Sequence, residues 1–177
     1  MIKKLILWIL VIACMGTIFF FSAQEANDSG RASEGFTYTL IKFFDFNDEI
    51  TDEAAMDFAI SVNGIVRKIA HFGIYAVLGF FIALLLNEYR RIYWHIVIYS
   101  ALSSLLYSCT DELHQYFVPG RSAQLSDIVI DTLGALCGAV FAIIILVLVK
   151  KHLKTHGKMI VVCFYVSTLC FLSLNSL

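Results

Sequence analysis

The sequence predicts an all-α, polytopic transmembrane helical bundle of four or five spans. Composition is the first reason: 59% of residues are apolar types, 15% are charged, and mean hydropathy is +0.80. A soluble domain runs nearer ~45–50% apolar and ~25% charged. The second reason is that the apolar residues gather in runs close to the ~20 residues that cross a bilayer as a helix. The third is a single proline in 177 residues and no low-complexity tract, which excludes a disordered or fibrous chain. A net charge of −1 provides no basic field for nucleic acid.

The expected spans are about 5–21, 69–86, 92–109, 128–149 and a weaker 159–174, within one domain covering 1–177. Lys3-Lys4 ahead of the first run resembles a secretory leader, and Val11-Ile12-Ala13-Cys14 loosely resembles a lipidation site. The apolar run continues past Cys14 through Phe19-Phe20-Phe21, so an uncleaved first span is expected. With a cytoplasmic N-terminus, Lys3, Lys4, Arg90, Arg91, Lys150, Lys151, Lys154 and Lys158 fall inside. Only Arg31, Lys42, Arg67, Lys68 and Arg121 fall outside, which is the asymmetry the positive-inside rule requires. The five cysteines form no CxxC pair and are expected to be buried free thiols.

The stretch 22–68 is then extracytoplasmic. It reads as polar loop through Ser33, and then as an interfacial amphipathic helix carrying Phe36, Leu40, Phe43 and Phe44 at helical spacing. A further helix is expected from Thr51 as N-cap, with Asp52 and Glu53 suiting its dipole, and it can run on into the second span.

Polar residues in spans are costly and mark function by default. Here they form helix faces. Lys68, His71, Tyr75 and Gly79 share one on the second span. Ser100, Ser104, Tyr107 and Asp111 share one on the third, with His114 and Gln115 a turn further. Asp127, Asp131, Gly134 and Gly138 share one on the fourth. Counting back from the cytoplasmic ends places the charged parts at the outer boundary, and the small residues permit close helix approach. Pro119-Gly120 is a turn that can fold Arg121 back over this mouth. A direct pair of Arg121 with Asp111, Asp127 or Asp131 is expected, with His71 or Lys68 as the other possible partner of Asp131.

The set Phe21-Ser22-Ala23-Gln24, Arg67-Lys68-x-x-His71-Phe72-x-x-Tyr75-x-x-Leu78-Gly79, Tyr107-x-x-x-Asp111-Glu112-x-His114-Gln115-x-Phe117-Val118-Pro119-Gly120-Arg121-Ser122 and Asp127-x-x-x-Asp131-Thr132-x-Gly134 resembles the VanZ-like family. The resemblance runs from the first span to Gly138. It implies a small multipass protein of the bacterial cell membrane, associated with resistance to the glycopeptide teicoplanin, and supplies no catalytic residue.

Several functions fit these residues. The leading one is engagement of a cell-surface component or amphiphile at the outer leaflet, such as a cell-wall precursor or glycopeptide, by Lys68, His71, Tyr75, His114, Gln115 and Arg121. The alternative is an intramembrane enzyme acting on a lipid-linked cell-wall intermediate, with His71, Asp111, Glu112, Asp127 and Asp131 as candidate catalytic groups. No accompanying nucleophile is evident. A transporter is disfavoured because no charge lies deep in a span. No cofactor is expected, and no metal, because fixed ligand spacing such as HExxH is absent. The bland alternative is that the polar groups only neutralise one another between helices.

Overall fold

The structure, a computed structural model, describes residues 1–47, 49–89 and 92–152. Its elements are α1 (Ile2–Ser22), α2 (Ala26–Phe44), α3 (Asp52–Asn87), α4 (Tyr93–Tyr116) and α5 (Leu125–Leu174). The chain divides into two compact units, Met1–Ala142 and Ile143–Leu177. The first holds the candidate site. The second carries Lys150 and Lys151, and the expected fifth span, 159–174, falls outside the described residues.

Among the described residues, three helical stretches are long and apolar enough to cross a membrane: Ile2–Ser22, Asp52–Asn87 and Leu125–His152. The 24-residue α4 is of similar length, but it is less apolar because it carries Ser100, Ser104, Ser108, Asp111, Glu112 and Gln115, which face inward and are buried. The expected all-helical bundle is therefore formed, with α4 as its polar member.

Inside lipid, apolar faces gain little from meeting one another, so close packing and polar contacts hold helices together. On α1, Leu7, Val11 and Ile18 form one stripe and pack on Tyr75, Leu78, Ile82 and Leu85 of α3. The α3–α5 contact is tighter still. A Cβ on Gly79 would overlap the backbone of Ala135, one on Gly134 the backbone of Phe72, and one on Gly138 the backbone of Ala76. These glycines let two backbones touch, as the small-residue spacing predicts.

At about 1.5 Å per residue, the 36 residues of α3 make a rod of roughly 54 Å, well beyond a ~30 Å hydrocarbon core. Its first turns pair with α2 instead. Thr51 caps α3 by accepting from the Ala54 amide at 3.3 Å, as expected. Ala55 and Ala59 are fully buried, and Thr37 of α2 is buried as well. Between the helices, Asp45 accepts from the Glu49 and Ile50 amides at 3.1 and 2.9 Å. The Ile50 amide above all holds the Asp45 carboxyl below the usual carboxylate range.

Two expectations are corrected. The polar stretch through Ser33 is not loop, because α2 begins at Ala26. Its polar side chains find partners in its own helix and in α3: the single Ser33 hydroxyl proton has the Ser29 and Gly30 carbonyls and Asn63 Oδ1 of α3 within reach as acceptors. Asn63 in turn donates to Glu34 at 2.7 Å. The cysteines are not all buried either: Cys14 is half-buried, while Cys109 and Cys137 are exposed on the outer faces of α4 and α5. An apolar residue in a spanning helix faces lipid as readily as protein. Cys163 and Cys170 lie outside the described residues.

The two ends of the first unit are tied differently. At one end Lys3 bonds Glu88 at 2.5 Å, Trp8 donates to Tyr89 at 3.4 Å, and Lys4 lies 4.1 Å over the Tyr89 ring. Midway, the Tyr107 hydroxyl donates to the Met15 carbonyl at 2.7 Å. At the other end the Ala26 amide donates to the Pro119 carbonyl at 3.4 Å, fixing the start of α2 against the α4–α5 connector.

Candidate functional site

The inward face of α4 places Ser100, Ser104, Ser108, Asp111, Glu112 and Gln115 in buried positions. Their spacings of three, four and one residues keep them on one broad stripe. That stripe meets Asp131 of α5, which is 0% exposed. Single carboxylate oxygens of Asp111, Glu112 and Asp131 all lie within 4.8 Å of one another. Ser108 donates to Oδ2 of Asp131 at 2.6 Å, and Nδ1 of His71 lies 3.3 Å from Oδ1. Gln115 donates to Oδ2 of Asp111 at 3.2 Å, and the Gln124 amide donates to Oε2 of Glu112 at 2.7 Å. A buried carboxylate needs such donors, or a cation, to persist.

The connector closes over this cluster. Gly120 sits at φ +75°, which favours glycine, and the turn brings Arg121 back toward the bundle. Arg121 donates to Gln115 Oε1 and to the Phe21 carbonyl, each at 3.1 Å. The expected pair with Asp111, Asp127 or Asp131 is not formed. Gln115 stands between the guanidinium and Asp111 and relays the contact. His71 takes the place beside Asp131 that Arg121 was expected to fill.

Beside the cluster is a cavity of about 590 Å³, within the usual ~300–1,000 Å³ of small-molecule sites. Ile18, Phe36, Ile69, Ala70 and Ile74 line its apolar wall; Ser22, Gln24, Arg67, His71, Tyr75, Asp111 and Arg121 line the rest. Burial pulls the Arg121 guanidinium below its ordinary range, and the like charge of Arg67 adds to this. Two cations sharing one wall each raise the cost of the other, and an anion between them relieves both.

The expected residues are thus partly assembled. His71, Asp111, Glu112 and Asp131 meet in the cluster, Tyr75 is buried beside it, and Gln115 and Arg121 cover it. Lys68 is exposed and its neighbour Arg67 faces the cavity instead. His114 stacks on Phe19 with ring centroids 4.6 Å apart, away from the cavity wall. Asp127 stands near the start of α5, half-buried and bonded to Ser126 at 3.1 Å, outside the carboxylate cluster.

Sequence reasoning had Ser22 and Gln24 only as part of the family motif, and passed over Ser108 and the α2 residues Ser29, Ala32 and Ser33 on the cavity wall. Ser108 continues the four-residue spacing of Ser100 and Ser104, so periodicity contained that signal. The role of α2 depends on its pairing with α3 and left none.

A family model described as VanZ/LLP1 matches residues 7–148. No curated protein and no solved structure matches the chain.

Proposed function

The chain belongs to the VanZ/LLP1 family, and we propose that it binds an amphiphile with an anionic headgroup at the outer face of the bacterial cell membrane. The observation that carries this reading is the two-character cavity. Arg67 and Arg121 stand on its polar side, and Ile18, Phe36, Ile69 and Ile74 on its apolar side. A headgroup between the guanidiniums gains paired hydrogen bonds of the kind arginine makes with phosphate or carboxylate, while an acyl or prenyl chain covers the apolar wall. The exposed Phe43, Phe44 and Phe46 at the end of α2 and just beyond it suit a segment lying in the headgroup region. Teicoplanin resistance, the phenotype associated with the family resemblance, would follow if the bound amphiphile is a cell-surface component the glycopeptide depends on.

The test is native mass spectrometry of the full chain from phosphatidylcholine nanodiscs with and without phosphatidylglycerol. The wild type should retain phosphatidylglycerol selectively, and the Arg67→Gln, Arg121→Gln double variant should not. Equal retention by both proteins would remove the reading. Conversion of the lipid to a new species during incubation, lost in His71→Gln, would favour the intramembrane enzyme instead. In a glycopeptide-susceptible bacterium, the wild type should raise the inhibitory teicoplanin concentration and the double variant should not. The proposed orientation has a separate check. In a cysteine-free background, an impermeant thiol reagent should label single cysteines placed at Ser29 and Ser122 but not at Asn87. Labelling only at Asn87 would invert the topology.

A further inference from the structure

We propose that Asp111, Glu112 and Asp131 form a binding site for one divalent cation of the hard, oxygen-preferring class: Mg²⁺, Mn²⁺ or Ca²⁺. The three side chains offer oxygens within 4.8 Å of one another, and the residues are 4, 2 and 0% exposed. Three carboxylates buried together cannot all stay charged unless something positive joins them; otherwise some take up protons.

The hydrogen-bond pattern separates these outcomes. Each α4 carboxylate has one oxygen anchored and one left over. Gln115 holds Oδ2 of Asp111 and the Gln124 amide holds Oε2 of Glu112. Asp111 Oδ1 and Glu112 Oε1 are buried and have no hydrogen-bond partner. A single proton, shared with the Ser22 hydroxyl or a neighbouring carboxylate, relieves one of these oxygens and leaves the other unmet, which is the expensive case for a buried polar group. A cation satisfies both at once.

An independent observation points to the same place. Tyr75 is 0% exposed and its hydroxyl makes no hydrogen bond of normal geometry; it lies near Ser108 and within electrostatic reach of both Asp111 and Asp131. It lines the cavity together with Asp111, so its oxygen is placed to bond a water carried by the ion. Ser108 and His71 fix the orientation of Asp131 at 2.6 and 3.3 Å, as the outer groups of a metal site orient its ligands. The remaining lone pair of an Asp131 oxygen is free for coordination. An all-carboxylate set selects hard cations over thiolate-seeking ones. The missing sequence motif is no obstacle, because the ligands come from two helices: adjacent positions on α4 straddle the line that faces α5.

The test titrates chelator-washed full-length protein in detergent, without added phospholipid, with Mn²⁺ alone, following loss of the free-ion electron paramagnetic resonance signal. A single saturable site per chain is expected, with Mn²⁺ displaced by Mg²⁺ or Ca²⁺. Ser108→Ala should weaken binding about 10-fold, and Asp111→Asn or Glu112→Gln by at least the ~10–100-fold seen when outer groups of a metal site are lost. Asp127→Asn should bind as the wild type does. Because no phospholipid is added, failure of this site stays distinct from failure of the amphiphile reading. If a carboxamide variant does not fold, the wild type and Ser108→Ala decide. Absence of saturable binding by folded wild type, or unchanged affinity in Ser108→Ala and the carboxamide variants that fold, would overturn the site.

Discussion

The two ends of the helix bundle each join an acid to a base, and they do so in opposite ways. At the Lys3 end the pair with Glu88 is short, 2.5 Å, but its side chains are 69% and 21% exposed. At the Asp131 end the contact with His71 is longer, 3.3 Å, and the side chains are 21% and 0% exposed. Distance alone would rank the first as stronger. Exposure reverses the order of consequence: a solvated pair gains little from closeness, whereas a buried carboxylate deprived of its donors bears the whole cost of its desolvation. The Lys3 pair is a clasp between α1 and the end of α3. The Asp131 contact belongs to a polar group that helix packing alone does not require.

The contrast breaks most completely at the α3–α5 seam, because that seam holds Asp131 against His71. Gly138→Leu places a branched side chain where even a Cβ overlaps the Ala76 backbone. Backbone cannot rotate aside as a side chain can, so the cost should exceed the ~1–3 kcal/mol of ordinary overpacking. The expected outcome is loss of monodisperse protein in detergent, measured by size-exclusion chromatography. Gly16, with nothing near its Cβ position, provides the control: Gly16→Leu should remain soluble and monodisperse.

Arg121 sharpens the comparison at an intermediate scale. A direct ion pair with a buried carboxylate would make its loss cost ~3–5 kcal/mol. Its partners are instead Gln115 and the Phe21 carbonyl, so Arg121→Ala should cost only ~1.5–3 kcal/mol, the range for hydrogen bonds to a charged group. Arg121→Lys should rescue part of this, since an ammonium cannot reproduce two fixed, divergent donors. Thermal unfolding of both variants in the same detergent reads the difference. Smaller again is Tyr107→Phe, which removes one hydrogen bond to the Met15 carbonyl and should lower stability by ~0.5–1.5 kcal/mol.

How far the site was legible depends on the kind of signal each residue carried. Gly134 and Gly138 were readable because a four-residue spacing of glycines in an apolar helix has few other meanings. Counting back from the cytoplasmic ends of the spans placed His71, Asp111 and Asp131 near one level. Periodicity chose Lys68 over Arg67, which is adjacent and about 100° away on a helix, and the neighbouring helices turn Arg67 to the cavity instead. It could not foresee that Gln115 would stand between Arg121 and Asp111, because both lie within reach of a connector whose path is set by its turn. Nor could it extend α2 back to Ala26, since Ser33 and Glu34 are satisfied by Asn63, some thirty residues away. Local pattern fixes faces, and remote partners choose among them.

The smallest effect is expected at the Lys3 end, and its pH dependence gives it a signature. The Lys3 ammonium bonded to Glu88 holds the Glu88 carboxyl below the usual carboxylate range. A group whose pKa is lowered on folding stabilises the fold above its unfolded value, ~4.3 for Glu. That contribution is lost as pH falls through the lower folded value. Glu88→Gln should therefore be less stable than wild type near neutral pH, by no more than ~1 kcal/mol for so exposed a pair. The gap should close in acid, where the wild-type carboxyl is itself protonated. Added salt should shrink it at neutral pH as well, because solvated charges are screened over distances of ~10 Å at 0.1 M. A gap that survives both acid and high salt would mean that Glu88 acts through packing at the end of α3. The two ends would then differ in composition, and no longer in how charge is used.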